Sequence, residues 1–141
     1  MKSPKIILVD DHRIFRQGIK NLIDIENIGN VIGEAADGNE FIELLSEHKP
    51  DLVLMDIDMP EMNGLEAIQK AIELMPDIKI IAITAFDKED YLYSMMEMGA
   101  IGFLLKSAGI NEIEKAIHLG SSGEKYYSFS SSDKNMNNFG R

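Results

Sequence analysis

Residues 6–11 have the sequence IILVDD, in which four apolar residues lead directly into two carboxylates. An apolar run without polar alternation is typical of a strand buried on both faces of a parallel sheet. Three further apolar runs end in polar residues in the same way, at Asp56, Thr84 and Lys106. If these strands are parallel, all of these polar side chains, including Asp10 and Asp11, meet at one edge of the sheet.

The segments between the strands have helical spacing, because their apolar residues recur every three or four positions. Strands are predicted at residues 6–9, 31–33, 52–55, 78–83 and 101–105, and helices follow each of them. Residues 37–39 are interpreted as a turn, and Asn63 and Asp87 as N-caps. Five strands alternating with five helices predict right-handed crossovers and a doubly wound α/β fold.

Composition narrows the class of protein. The chain has 141 residues, which suits one domain, and its net charge of -10 argues against nucleic-acid binding by this segment. It contains no cysteine, so disulfides and thiolate chemistry are excluded. No apolar run is long enough for a signal peptide or a membrane span, and a cytoplasmic protein is expected.

Helical and strand patterns stop near residue 128, so residues 126–141 are predicted to be a linker or frayed tail beyond a domain at residues 1–125.

The predicted edge cluster has the composition of a phosphoryl-transfer site. Carboxylates at close range repel one another by about 4 kcal/mol per pair at a surface-like dielectric, which favours binding of a hard divalent cation such as Mg²⁺. Asp56, at the centre, can then act as the nucleophile toward phosphorus, while Lys106 and Thr84 supply positive charge and a hydroxyl donor. Each residue taken singly has a structural interpretation, for example Asp11 as a helix cap, so the site hypothesis depends on the cluster.

The motifs together closely resemble the receiver domain of two-component response regulators, from about residue 5 to residue 123. They are the acidic pair Asp10–Asp11, the LMD at residues 54–56 with Met59–Pro60, Asn63–Gly64, the ITA at residues 83–85, and Gly99–Ala100 leading to Phe103 and Lys106. Residues 10–18 and 102–106 are similar to the subfamily whose output is a helix-turn-helix of the NarL/LuxR type. The resemblance implies a five-stranded parallel sheet of order 2-1-3-4-5, as in CheY and flavodoxin.

The resemblance also implies residue roles. Asp56 would accept a phosphoryl group from a phosphohistidine on a sensor histidine kinase. Asp11, Asp56 and the backbone carbonyl of Asp58 would hold Mg²⁺ (or Mn²⁺), with Asp10 assisting through water. Thr84 would bind a phosphoryl oxygen, Lys106 would pair with the phosphate, and Phe103 would occupy the switch position that responds to Thr84. The chain would not be an enzyme beyond its own phosphotransfer and dephosphorylation.

The resemblance implies partners too. Phosphorylation would change the face formed by helix four, strand five and helix five, and homodimer formation on phosphorylation is one expected result. No output domain is evident in this segment, and a fragment of a transcription factor is favoured over a stand-alone receiver; DNA would then be bound through the missing domain, and no membrane is involved. Ser107 departs from the proline that many receivers carry after the lysine.

Two other classes compete with the receiver interpretation. The sequence of residues 55–58 resembles the DxD motif of haloacid-dehalogenase-type phosphatases, which also use an aspartyl phosphate, although Asp10 and Asp11 would then have no role. A flavodoxin-like electron carrier shares the fold, but no phosphate loop rich in Ser, Thr and Gly follows strand one.

Phe86 is expected near the path of attacking water, where it would slow hydrolysis of the acyl phosphate. His12, His48 and His118 show no metal spacing and are interpreted as solvated surface.

Overall fold

A computed structural model describes residues 3–58, 64–85 and 89–127. Strands and helices alternate strictly along this part of the chain up to its last helix. The strands are β1 (Lys5–Val9), β2 (Asn30–Ala35), β3 (Leu52–Asp56), β4 (Ile80–Thr84), β5 (Gly102–Leu105) and β6 (Tyr126–Tyr127). The helices are α1 (Arg13–Glu26), α2 (Gly38–Leu45), α3 (Gly64–Leu74), α4 (Glu89–Met98) and α5 (Ile110–Ser121).

The strands form one parallel sheet in the order β2-β1-β3-β4-β5-β6. The predicted order 2-1-3-4-5 and the doubly wound α/β class are confirmed. The sheet also contains a sixth strand that the sequence analysis did not predict. Tyr126 pairs with Gly102 and Tyr127 with Phe103, so the first two residues of the predicted linker extend the sheet beyond β5.

Two hydrophobic layers cover the sheet, one on each face. Alternate residues of the central strands point to opposite faces, so Ile7 and Met55 face one layer while Ile6 and Leu54 face the other. The first layer is completed by α2 and α3, and the second by α1 and α5. All residues of β3 and β4 are buried, which explains their continuous apolar sequence.

The helix starts differ in part from the sequence interpretation. Residues 37–39 are not a separate turn, because Asp37 is the N-cap of α2 and its side chain accepts a hydrogen bond from the Glu40 backbone N–H. The Glu40 carboxylate in turn accepts from the Ala36 backbone N–H, so a reciprocal capping arrangement begins this helix. For α1, the N-cap is His12 rather than Asp11, and the His12 side chain makes no capping hydrogen bond.

The sixth strand approaches β5 closely at one glycine. A Cβ atom at Gly102 would overlap the backbone carbonyl of Tyr126, so only glycine fits there without a shift of the strand. Tyr126 also packs against the hydrophobic layer below α5. The amino end of β5 is therefore paired with β6 and is not an edge of the sheet.

Several predicted features lie outside the described residues. They are Met59 and Pro60, the N-caps at Asn63 and Asp87, the aromatic residue Phe86, and the tail from residue 128 onward.

Candidate functional site

The polar residues predicted to form a cluster are positioned by four neighbouring strands. Asp10 follows β1, Asp56 ends β3, Thr84 ends β4, and Lys106 follows β5. The parallel register aligns these ends, since Asp56 pairs with Ile83 and Thr84 with Leu105. Asp10, Asp56 and Thr84 are all buried, in contrast to most polar residues of a domain this size.

Asp56 is held in a fixed orientation at the centre of the cluster. Its side chain has no solvent exposure. Its Oδ1 atom accepts a hydrogen bond of 3.0 Å from the Asp58 backbone N–H, and its Oδ2 atom accepts one of 3.2 Å from Lys106 Nζ. Both oxygens therefore accept hydrogen bonds, which hold the carboxylate in one orientation.

Lys106 supplies positive charge to the cluster. It follows β5, which is separated from β3, the strand of Asp56, by β4. Its Nζ lies 3.2 Å from Asp56 Oδ2 and 3.6 Å from Asp10 Oδ2. The ammonium group also lies 5.0 Å from the centre of the Phe15 ring, a distance suited to a cation–π contact. The Lys106 backbone is fixed by a hydrogen bond of its N–H to the Thr84 carbonyl, and no peptide bond in the described part of the chain is cis, the bond to Ser107 included.

Asp10 carries the clearest electrostatic signature of the site. The pKa of its carboxyl group is raised from 3.8 to about 6, mainly by burial and also by the charge of Asp56, although the hydrogen bond from the His12 backbone N–H and the charge of Lys106 act in the opposite direction. Its Oδ2 atom is buried and accepts no hydrogen bond. An ionised oxygen in this position is expensive unless a cation approaches it.

Thr84 and Phe103 lie on adjacent strands beside the acidic residues. The Thr84 hydroxyl is buried and lies 3.5 Å from Asp58 Oδ2, at the long limit of a hydrogen bond. Phe103 is fully buried and pairs with Ala82 of β4 on one side and Tyr127 of β6 on the other. The predicted hydroxyl is thus at the edge of the cluster, and the predicted switch aromatic is part of the core two residues earlier along β5 than the end of the strand.

His12 is a member of the cluster that sequence reasoning missed. Its Nδ1 atom lies 2.7 Å from Lys106 Nζ and within 3.3–3.7 Å of carboxylate oxygens of Asp10, Asp11 and Asp56. The His12 side chain is 62% exposed, as a surface residue would be, but its ring nitrogen also belongs to the acidic cluster. The available signal was its position directly after the acidic pair, not its spacing to other histidines.

The four groups form a set that can hold a metal ion. One ligand atom from each of Asp10, Asp11, His12 and Asp56 can be chosen so that all lie within 4.8 Å of one another. Nearly all of these donors are carboxylate oxygens, which suit a hard divalent cation. The buried Asp10 Oδ2 fits the same conclusion, because it accepts no hydrogen bond and the Lys106 ammonium beside it, 3.6 Å away, is shared with Asp56.

The fold and the pocket together define a doubly wound α/β domain with an acidic site at the carboxyl edge of its sheet. The chain belongs to the response regulator receiver domain family, whose profile matches residues 6–118. The expected resemblance and the expected class, a receiver domain of two-component signalling, are confirmed.

Relatives of known class support this assignment. The chain is 34% identical over 122 residues to the transcriptional regulatory protein DegU of Brevibacillus brevis, covering 86% of this chain and 52% of DegU. It is 39% identical over 125 residues to the response regulator GacA of Pseudomonas aeruginosa, covering 88% of this chain and 58% of GacA. It therefore spans little more than half of these relatives, which are regulators rather than enzymes in the usual sense.

A solved receiver domain has the same architecture. The signal receiver domain of the response regulator NarL from Mycobacterium tuberculosis superimposes with a TM-score of 0.82 at 33% identity, covering 88% of this chain and 100% of that domain. The expected likeness to the NarL/LuxR type is thus confirmed. Across the described ranges, no helix is long and apolar enough to cross a membrane.

Proposed function

We propose that this chain accepts a phosphoryl group on Asp56 from a phosphohistidine of a sensor histidine kinase. The observation that carries the proposal is the environment of Asp56. Its fully buried carboxylate is oriented by the Asp58 N–H and by Lys106, and further carboxylates of Asp10 and Asp11 lie around it. A fixed, ionised oxygen beside a positive charge is what attack on phosphorus requires, since such transfers depend mainly on positioning and charge neutralisation.

In the proposed transfer, a carboxylate oxygen of Asp56 forms a bond to phosphorus as the bond from phosphorus to the histidine nitrogen of the kinase breaks. The electron pair stays with that imidazole, which takes up a proton from solvent. Lys106 is already within 3.2 Å of Asp56 Oδ2 and would pair with the new phosphate. Thr84, at the end of the adjacent strand, would donate its hydroxyl to a phosphoryl oxygen.

A divalent cation fits the residues around Asp56. Asp11, Asp56 and the backbone carbonyl of Asp58 would hold Mg²⁺ or Mn²⁺, with Asp10 assisting through water. The buried Oδ2 oxygen of Asp10 supports this assignment, because it accepts no hydrogen bond and shares its cationic neighbour, Lys106, with Asp56. When bound, the ion would neutralise charge between the carboxylates and the incoming phosphoryl oxygens.

The proposed consequence of phosphorylation is a shift in the population of two conformations. Thr84 and Lys106 would move toward the phosphate, and the strand that carries Phe103 would repack with α4 and α5. Because DegU is a transcriptional regulatory protein and this chain spans about half of such relatives, we propose that the full-length protein controls transcription through an attached DNA-binding domain. Homodimer formation on phosphorylation and a cytoplasmic location remain parts of the proposal.

Labelling of the purified chain with acetyl phosphate and Mg²⁺ tests the nucleophile. Intact-mass spectrometry of the unaltered chain is expected to find one added phosphoryl group. Asp56→Asn is expected to abolish this label, because the amide oxygen is a poor nucleophile. Asp77→Asn, which changes an exposed aspartate away from the pocket, is the matched control and keeps the label. Undiminished labelling of Asp56→Asn would refute the assignment.

The same reaction distinguishes the receiver from a phosphatase that uses an aspartyl phosphate. A receiver stops at one phosphoryl group per chain and releases phosphate slowly. Steady turnover of a phosphomonoester substrate would instead favour the phosphatase, in which Asp58 would act as a general acid.

A further inference from the structure

His12 directs a ring nitrogen into the acidic pocket without contributing to the helix that it begins. It is the N-cap residue of α1, yet its side chain makes no capping hydrogen bond. Its Nδ1 atom instead lies 3.3 Å from Asp10 Oδ1, 3.6 Å from Asp11 Oδ1 and 3.7 Å from Asp56 Oδ2. The ring position is therefore explained by the pocket rather than by helix capping.

The contact with Lys106 fits a neutral ring whose Nδ1 atom faces the pocket. Lys106 Nζ lies 2.7 Å from His12 Nδ1. An ammonium group can only donate, so in a neutral ring with the proton on Nε2 the Nδ1 atom accepts and its lone pair points into the pocket. An imidazole nitrogen with a free lone pair is the form that binds metal ions. The Lys106 ammonium therefore lies between His12 Nδ1 and Asp56 Oδ2, 2.7 Å from the first atom and 3.2 Å from the second.

The distances suit joint coordination of one ion. Ligands at right angles around an ion with bonds of about 2.0–2.2 Å are separated by roughly 3 Å. The separations of His12 Nδ1 from the three carboxylate oxygens, 3.3–3.7 Å, are only slightly longer. The buried Asp10 Oδ2 accepts no hydrogen bond and lies 3.6 Å from the ammonium of Lys106, which is also paired with Asp56, so a bound cation would add compensation that the pocket needs.

We propose that His12 Nδ1 is a ligand of the bound ion and makes the pocket favour divalent transition ions over Mg²⁺. This inference rests on the proposed function, because it concerns the same metal site. Imidazole nitrogen binds Co²⁺, Ni²⁺ and Zn²⁺ well, whereas Mg²⁺ prefers oxygen donors and retains waters. Coordination by His12 also breaks its hydrogen bond with Lys106, which leaves that ammonium available for the phosphate on Asp56.

Metal affinities of the full chain test the inference. Dissociation constants for Co²⁺ and Mg²⁺ are measured by titration calorimetry on the unaltered chain, on His12→Phe, which keeps a planar ring without nitrogen, and on His118→Phe. His118 is exposed on α5 beside Pro4 and Asp51, which precede β1 and β3 at the opposite edge of the sheet.

His12→Phe is expected to weaken Co²⁺ binding at least about 10-fold, because even outer-shell partners of ligands contribute that much. Its Mg²⁺ affinity is expected to change by less than about twofold, since oxygen donors dominate magnesium sites. His118→Phe changes neither constant. Equal weakening of both ions by His12→Phe, or no weakening of Co²⁺, overturns the inference.

Pulsed electron paramagnetic resonance of the Mn²⁺-loaded chain gives a direct readout. A nitrogen coupling is expected in the unaltered chain and in His118→Phe, and its loss is expected in His12→Phe. If the unaltered chain is labelled on Asp56 by acetyl phosphate but has no nitrogen coupling, the inference about His12 fails while the receiver function stands. If the unaltered chain takes no label, the proposed function fails whatever ion is bound.

Discussion

Both edges of the sheet carry aspartates, but these aspartates differ in their burial and in their partners. At the amino edge, Asp51 is exposed and accepts a hydrogen bond of 2.8 Å from the Lys5 backbone N–H. At the carboxyl edge, Asp10 and Asp56 are buried and share one ammonium group, that of Lys106.

This difference separates stability from function within one small domain. Charges at the amino edge are satisfied by local hydrogen bonds and by water, so they cost little. Charges at the carboxyl edge are crowded in a low dielectric, where repulsion and desolvation oppose folding unless a ligand compensates them. Substitutions of charged residues at the carboxyl edge are therefore expected to change the free energy of unfolding strongly. A substitution at the amino edge is expected to have a smaller effect and to leave phosphorylation of Asp56 intact. Three variants test this contrast.

Lys106→Met is expected to have the largest effect. The substitution keeps an unbranched apolar side chain near Phe15 but removes the positive charge beside Asp10 and Asp56. Removal of one partner from a buried ion pair should lower the free energy of unfolding by about 3 kcal/mol in the absence of metal. Urea denaturation at neutral pH with a chelator measures this loss, and Lys79→Met, at the amino edge, is the control with a small effect. Equal losses in the two variants would remove the contrast between the edges.

Asp10→Asn is expected to stabilise the metal-free chain at neutral pH. The pKa of Asp10 is about 6 in the folded chain and 3.8 as its ordinary value. The folded chain thus binds this proton more tightly, and stability falls as pH rises from about 4 to about 6. The pKa difference already includes the attraction to Lys106, and it corresponds to an expected gain of at most about 3 kcal/mol.

The pH dependence gives the Asp10 prediction its sign. The gain from Asp10→Asn should be full well above pH 6 and should disappear below the ordinary pKa of 3.8, where Asp10 is protonated in both states. Urea denaturation across this range measures it, with Asp51→Asn as the control that shows no such gain. A destabilised Asp10→Asn variant at neutral pH would contradict the electrostatic account.

Gly102→Ala is expected to have the smallest effect and to leave phosphorylation intact. The added Cβ would overlap the Tyr126 carbonyl, so β6 must shift from β5. A loss of about 1 kcal/mol is expected, as is usual for a local steric change. Asp56 should still be labelled by acetyl phosphate, because Gly102 lies at the far end of β5 from the acidic pocket. Loss of the label without unfolding would mean that the two edges are coupled.

The elements that the sequence predicted well share one property. Four of the first five strands, all except β2, come from continuous apolar runs that lead into a polar residue, and both the burial and the common edge follow from that pattern. Asp10, Asp11, Asp56 and Lys106 lie together for the same reason. Topology alone brought these residues to one place, and no knowledge of side-chain packing was needed.

The features that were missed depend on contacts distant in sequence. Tyr126 and Tyr127 form a strand because Gly102 allows close approach of their backbone, which no local pattern indicates. His12 belongs to the pocket because its ring nitrogen contacts Lys106, a residue that is distant in sequence. The cap at Asp37 was interpreted as a turn because capping and turn residues have the same composition.

The buried oxygen of Asp10 that accepts no hydrogen bond has a consequence for how long the chain survives. Proteases cleave the transiently open chain, and its population depends on the free energy of unfolding. A cation that binds only the folded pocket lowers that population by mass action. The half-life in limited digestion should therefore lengthen as divalent ion is added, so that turnover of the regulator follows the supply of the ion.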